Sequence, residues 1–267
     1  MERSPAADRR GMHRMDIQND QKDQKQQSGA FLDADTLFSG SAVDEGTLLE
    51  MAQAGVLYGH KKSRKNPHFD EYIFATRNGI EVIDLTKTLK AIDIVSGFLK
   101  KALEDKKTFV VVGTQPASAD AVKALSEALG GCSYVTRRWI GGLFTNFPIL
   151  SKRINYYKQQ KEDLAQGRLD KYTKKEQLLM KREIEKMEHK FTGVENMAQV
   201  PDVMFVIDGS PKGHKTAIAE AHIKHVPVVG IIDSDDDPND FAYFIPANDH
   251  ARSSINWVVD RIITHLK

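Results

Sequence analysis

The chain has 267 residues, one cysteine and a formal net charge of +1, and 40% of its residues are hydrophobic. This length allows one large α/β domain with an insertion, or two small domains. The near-zero net charge means that any nucleic-acid-binding surface must come from local clusters of charge. A single cysteine excludes an internal disulfide and a cysteine-based zinc site, which fits a reducing cytoplasm. No apolar run approaches the roughly 20 residues of a membrane span, so we expect no membrane contact.

The N-terminal segment differs in composition from the rest of the chain. Residues 1–41 are polar, rich in Gln, Asp, Lys and Arg, and show no sustained hydrophobic period. This composition is typical of disorder, so we predict a disordered tail over 1–41. A short helix is expected next, around residues 48–52.

A basic loop follows this helix and contains no carboxylate between residues 60 and 68. Loops of this charge pair with phosphates, although a merely solvated loop is the alternative. Nearby glycines and Pro67 favour a fixed loop backbone. The candidate phosphate-binding residues are His60, Lys61, Lys62, Arg64 and Lys65.

A β-hairpin is predicted just beyond the basic loop. Asn78-Gly79 lies between two apolar runs, 72–74 and 80–83, and this dipeptide is the strongest short hairpin signal. Arg77 should therefore lie at an exposed hairpin tip, as a further candidate for a phosphate contact.

The remaining pattern alternates strands with helices. Strands are predicted at 108–113, 134–135, 203–208, 226–232 and 243–245, and helices at 86–104, between Pro116 and Gly130, at 217–224 and at 255–266. This βαβ order predicts a parallel sheet with right-handed crossovers. We assign the α/β globular domain to residues 42–149 and 192–267.

The segment between the two halves predicts a helical arm over residues 150–191. Leu150, Ile154, Tyr157, Lys161 and Leu164 follow a heptad spacing, and Met180, Ile184, Met187 and Phe191 form a second apolar row. Gly167 should end the first helix, and Thr173 with Glu176 forms a capping box that starts the next. An antiparallel coiled-coil hairpin is the expected structure. Lys152 and Arg153 are candidate phosphate-binding residues on it, whereas most of its other charges should be solvated.

The stretch from Tyr134 to Phe147 joins the first half of the sheet to the arm. Arg137 and Arg138 offer planar guanidinium groups that suit phosphate, although they could simply be solvated. Trp139 is expected to be a structural core residue. The Gly141-Gly142 pair should allow a sharp turn, because glycine adopts positive φ without a Cβ clash.

Catalytic motifs are missing from the predicted strand ends. The turn at 113–118 lacks the glycine spacing of a dinucleotide site and the Gly-Lys-Ser/Thr of a P-loop. The segment 233–239 begins like a calcium loop, but Pro238 stands where that loop needs glycine. The histidines at 214, 222 and 225 are interpreted as separate surface or core residues. We therefore expect no cofactor, no dedicated metal site and no catalytic residues.

Five motifs carry a resemblance to a known family. They are Ala54–His60, Arg138–Asn146, Tyr172–Glu176, Pro201–Asp208 and Ile245–Asp249. Through these motifs the chain resembles the bacterial form of ribosomal protein two of the small subunit, over about residues 48–266. The resemblance implies a flavodoxin-like, three-layered fold with a five-stranded parallel sheet of order 2-1-3-4-5 and a protruding coiled-coil hairpin.

The resemblance also implies a function. The expected partners are small-subunit ribosomal RNA, bound between head and body, and neighbouring small-subunit proteins, including the largest, which the chain would help to dock. The phosphate-binding candidates named above would then contact ribosomal RNA, and no homo-oligomer is expected. The alternative is an α/β enzyme or regulator that binds a nucleotide or sugar phosphate, and the missing phosphate loops count against it.

Overall fold

A computed structural model of the chain describes residues 45–169 and 171–267, so the predicted tail at 1–41 lies outside the described residues. The first element is helix α1 (Glu45–Ala54). A small antiparallel sheet follows, with strands β1 (Tyr58–Lys61), β2 (Ile73–Arg77) and β3 (Ile80–Ile83) in the order β1-β3-β2. The predicted hairpin joins β2 to β3: Asn78 and Gly79 have φ of 52° and 76°, as a tight two-residue turn requires.

The main sheet has five strands, all parallel. They are β4 (Phe109–Val112), β5 (Ser133–Val135), β6 (Val203–Ile207), β7 (Val228–Ile232) and β8 (Tyr243–Pro246). Their spatial order is β5-β4-β6-β7-β8, which is the predicted order 2-1-3-4-5. The reversal of strand order between β4 and β6 is a feature of a flavodoxin-like sheet.

Side chains alternate between the two faces of this sheet, and each face is covered by helices. One row across the sheet runs through Tyr134, Val111, Phe205, Val229 and Tyr243. This row packs in a core with α2 (Leu85–Glu104), α3 (Ala119–Ala128) and α7 (Arg252–Leu266). Because β4, β6 and β7 are buried along their whole length, they appear in the sequence as continuous apolar runs.

The opposite face packs a second core. Val110, Met204 and Val228 lie in it, together with Ala217 and Ile218 of helix α6 (Lys212–Ile223). Helices α4 (Phe147–Ala165) and α5 (Lys174–Phe191) of the predicted arm contribute side chains to the same core: Ile154, Tyr157, Ile184 and Phe191. The domain therefore has three layers, with the parallel sheet in the middle.

Several boundaries differ from the sequence prediction. Helix α3 begins at Ala119, and Pro116 lies in the preceding turn. Helix α6 begins at Lys212, five residues before the predicted start. Its first turn is polar, so the apolar period becomes visible in the sequence only from Ala217. Strand β7 begins at Val228. The capping box of Thr173 and Glu176 is confirmed at the start of α5.

No helix in the described part of the chain is long and apolar enough to cross a membrane.

Candidate nucleic-acid interface

The outer face of the small sheet carries two of the predicted phosphate-binding cations. Lys61 of β1 pairs with Ile80 of β3, which in turn pairs with Arg77 of β2, so all three side chains share one face. In the next row, Tyr58 pairs with Val82. Lys61 and Arg77 are exposed, and Tyr58 and Ile80 are 52% and 39% exposed. This face, which we call the small-sheet face, therefore combines cations with an aromatic ring.

The basic loop leaves this face through two 3₁₀ turns, residues 62–64 and 67–72. Lys62 and Arg64 are exposed. The Lys65 ammonium lies 2.5 Å from an Asp70 carboxylate oxygen, and this hydrogen bond raises the pKa of Lys65, so Lys65 already has an anionic partner. The Asn66 N–H donates to the carbonyl of Ser234 at 2.7 Å, so the loop is tied to the main sheet.

His60 faces the protein rather than solvent. Its Nδ1 lies 3.0 Å from Asp233 Oδ2 and 3.2 Å from Asp235 Oδ1. The hydrogen bond to Asp233 raises the pKa of His60, because the carboxylate favours the imidazolium form. His60 therefore belongs to an acidic cluster. The positive charge of its imidazolium form faces Asp233 and Asp235 and not the solvent.

The acidic cluster lies where three parallel strands end. Asp208 follows β6, Asp233 follows β7 and Asp249 follows β8, and each is at most 2% exposed. Burial raises the pKa of Asp249 well above its usual range, and neighbouring Asp208 reinforces the shift. Burial and the charge of Asp208 likewise raise the pKa of Asp236 to about 7. Buried carboxylates at the strand ends would repel a phosphate, so this crevice does not suit the ligand that related sheets hold there.

The same cluster has the donor set of a cation site. Ligand atoms of His60, Asp233 and His250 lie within 4.8 Å of one another, and so do those of Asp208, Asp249 and His250. Asp249 Oδ2 is buried without a hydrogen-bond partner. Imidazole and carboxylate ligands together suit zinc and related divalent ions. A bound cation would balance the negative charge of these buried carboxylates.

The histidines that the sequence brought together have other roles. His214 is buried and bridges two strand-end loops: the Thr114 N–H donates to its Nε2 at 3.0 Å, and its Nδ1 contacts the Asp208 carbonyl. Burial lowers the pKa of His214, so it is a neutral structural residue. His222 Nε2 contacts the Asp240 carbonyl at 2.9 Å, and His225 is exposed.

A buried carboxylate organises the stretch from Arg137 to Phe144. Glu220 of α6 is 6% exposed and accepts the Trp139 indole N–H at 3.2 Å. It also accepts the backbone N–H groups of Gly142 at 2.6 Å and Phe144 at 3.0 Å. Trp139 is 4% exposed, and its ring packs edge-on against Phe144. Gly142 has a φ of +87°, whereas Gly141 does not adopt positive φ and borders open space.

The ordered turn displays both predicted arginines. Arg137 and Arg138 are exposed and line a cavity of about 430 Å³ with Lys212 and Gly213 at the start of α6. None of the three cations belongs to an ion pair among the described residues. Lys152 and Arg153 are exposed on α4. The predicted cations thus occupy three surfaces, on the small sheet, beside α6 and on the arm.

Sequence reasoning did not identify Glu220, Asp208, Asp249 or His250 as functional residues. Glu220 looks like an ordinary helix-surface glutamate, and its burial depends on a turn that is 76 to 81 residues distant in sequence. One available signal was that aspartates follow three predicted parallel strands, whose carboxyl ends must meet at one edge.

An α/β domain whose exposed cations are dispersed over three surfaces fits a binding or structural module. Comparison with known proteins agrees with this class. The family model for ribosomal protein S2 matches residues 51–266, and the chain belongs to that family. Small ribosomal subunit protein uS2c of Emiliania huxleyi is 39% identical over 216 residues, which cover 81% of this chain and 93% of that relative. The chain is therefore a structural protein of the small ribosomal subunit and not an enzyme.

Proposed function

We propose that the chain binds small-subunit ribosomal RNA between the head and body of the subunit and helps to dock the largest small-subunit protein. Family membership supports the ribosomal role. The observation that carries the RNA contact is the small-sheet face, where Lys61 and Arg77 flank Ile80 without a carboxylate partner in the described chain. Such a face can bind phosphates through its cations and a base through Tyr58.

The other predicted residues are proposed to extend this contact. Lys62 and Arg64 continue the basic surface from the small sheet, and Arg137 and Arg138 present guanidinium groups from a rigid turn. Lys65 and His60 should contribute less, because each already contacts a carboxylate. Lys152 and Arg153 would place a further contact on the arm.

We propose a domain division at the same positions as in the sequence prediction. Residues 42–149 and 192–267 would form the globular domain, and 150–191 a coiled-coil hairpin insertion. In support, α4 and α5 pack against each other through the Tyr157 and Phe191 rings, whose centroids are 5.9 Å apart. We also propose a cytoplasmic location, because the single cysteine, Cys132, is a free thiol, as a reducing compartment maintains.

The test is a salt titration of binding to small subunits that lack this protein. Lys61, Lys62, Arg64 and Arg77 are replaced together by alanine. Binding should weaken, and the log–log salt dependence should flatten by about one unit or less for each lost phosphate contact. The matched control replaces four exposed cations of other helices, Lys100, Lys123, Lys224 and Arg261. Equal salt slopes for the two quadruple variants would show that the small-sheet face and basic loop are only solvated.

A further inference from the structure

The arm has a groove that none of the family motifs includes. It lies between α4 and α5, encloses about 690 Å³, and has Met187 and Phe191 among its lining residues. Tyr156 and Leu179 line it as well and are 48% and 55% exposed. This volume is within the range of about 300–1,000 Å³ that holds compact organic ligands.

Four cations surround the groove. Arg182, Lys186 and Lys190 stand four residues apart on α5, so their side chains stack one above the other, and Arg153 lies on α4. Glu183 is the single carboxylate of the lining. None of the four cations has an ion-pair partner in the part of the chain that the structure describes. A row of like charges at this spacing destabilises a helix by itself, so an anionic ligand would relieve it.

The neighbouring cavity, toward the tip of the arm, differs in charge. It has a volume of about 470 Å³ and shares Tyr156 with the groove, but its Arg168 is paired with Asp163 at 3.0 Å. Its lining has two cations, Arg168 and Lys171, against two carboxylates, Asp163 and Glu183. The excess positive charge is therefore specific to the groove and is not shared by the cavity beside it.

We propose that this groove binds an unpaired nucleotide of RNA, with its base against Tyr156 and Leu179 and its flanking phosphates on Arg153, Arg182 and Lys186. The inference rests on the proposed function and adds the kind of RNA element that the arm would recognise. A paired helix presents its phosphates but keeps its bases stacked inside, so it would use the cations and leave the apolar floor uncovered. An unpaired base has a free π-face that stacks on an aromatic ring while the backbone follows a basic groove.

The experiment uses the full chain and two RNA hairpins. One carries a single bulged 2-aminopurine. The other is identical except for one added nucleotide in the opposite strand, which pairs with the 2-aminopurine. Fluorescence anisotropy gives both affinities, and 2-aminopurine emission reports stacking of the bulged base. Tyr156→Ala should weaken binding of the bulged hairpin by about tenfold, a typical loss for one stacked base, and leave the paired hairpin unchanged. Tyr156→Phe keeps an aromatic ring, so it should retain both the affinity and the decrease in 2-aminopurine emission that stacking causes.

Matched variants separate stacking from charge. Tyr172→Ala removes an exposed tyrosine that lines only the neighbouring cavity and should change neither affinity. The double variant Arg182→Ala/Lys186→Ala should weaken binding of both hairpins and lower the salt dependence of binding. The control Lys174→Ala/Lys175→Ala, at the start of α5, should cause a smaller loss of affinity and a smaller change in salt dependence. A melting curve for each variant confirms that it is folded.

The inference is overturned if wild-type protein binds both hairpins equally, or if Tyr156→Ala has no effect on the bulged one. It is also overturned if an acidic helical peptide binds the groove and neither RNA hairpin displaces it. These outcomes are distinguishable from failure of the proposed function, which would appear as absence of the wild-type chain from small subunits. A chain that joins the subunit without any preference for the bulge would retain the ribosomal role and lose only this site.

Discussion

A single side chain, Glu220, accepts most of the side-chain hydrogen bonds that tie down the Arg137–Phe144 turn. Its carboxylate accepts hydrogen bonds from the Trp139 indole and from the Gly142 and Phe144 amides. Hydrogen bonds to a charged acceptor contribute about 1.5–3 kcal/mol each, and a buried donor left without a partner costs a similar amount.

Replacing Glu220 should therefore destabilise the protein and loosen this turn. We expect Glu220→Gln to lower the free energy of unfolding by about 2 kcal/mol, because one donor group replaces an acceptor, and Glu220→Ala to lower it further. Urea unfolding followed by circular dichroism measures the change. Glu127→Gln, at an exposed position on α3, is the control and should stay within about 0.5 kcal/mol of wild type. Equal midpoints for Glu127→Gln and Glu220→Gln would mean that the turn is held by packing alone.

Asp249 should have opposite effects with and without a divalent cation. It is buried, with one oxygen unpartnered, among the carboxylates of Asp208 and Asp233. In metal-free buffer Asp249→Asn should raise the melting temperature, because the amide cannot ionise and so avoids the burial and the repulsion from Asp208 that raise the pKa of Asp249. In excess zinc the order should reverse, because zinc that binds only the folded state stabilises the wild type, whereas the variant lacks one ligand and binds zinc more weakly. Melting curves in chelator and in zinc give both comparisons, and zinc curves that shift equally for the two proteins would exclude Asp249 as a ligand.

At the scale of elements, the arm and the sheet share one core. Tyr157 is fully buried on α4, and its ring packs against Phe191 of α5. Both rings belong to the same hydrophobic cluster as Met204 and Val206 of the central strand β6. The base of the arm is thus continuous with the α/β domain, so its unfolding should be coupled to that of the sheet.

Tyr157→Ala tests this coupling. The substitution should cost about 3–5 kcal/mol, the usual loss for a buried aromatic side chain, and should lower the midpoint of the whole transition. Leu178→Ala, at a half-exposed position on α5, is the control and should have little effect. Calorimetry distinguishes the alternatives. If Tyr157→Ala shows a separate low-temperature transition for the arm while the main transition keeps its wild-type temperature, the arm unfolds independently.

At the scale of the whole molecule, the sequence predicts what depends on local pattern. Strands β4, β6 and β7 could be predicted because burial on both faces makes them continuously apolar, and the hairpin because Asn78-Gly79 permits its two positive φ angles. The contact of His60 with the acidic cluster could not be predicted in this way, because His60 and Asp233 come from different sheets and are 173 residues apart. Long-range electrostatic contacts leave no period in the sequence, so only the structure brings these residues together.

The two tryptophans report on the two faces of the sheet. Trp139 lies in the core that contains α6 and the arm, and Trp257 of α7 packs against the core on the other face. Every strand of the main sheet separates these cores and contributes side chains to at least one of them, so neither core can be lost without exposing the sheet. We therefore expect the described domain to unfold in one cooperative transition.

Two single-tryptophan variants test this expectation. Trp257→Phe leaves only Trp139, and Trp139→Phe leaves only Trp257. Within each variant, the urea midpoint from tryptophan fluorescence should coincide with the midpoint from far-ultraviolet circular dichroism, because both signals follow the same transition. Trp139→Phe should have the lower midpoint of the two, since it loses the hydrogen bond to Glu220 and part of a fully packed side chain. A fluorescence midpoint well below the circular-dichroism midpoint in Trp257→Phe alone would show that the face bearing the arm opens first, while the core beneath α2 and α7 stays folded.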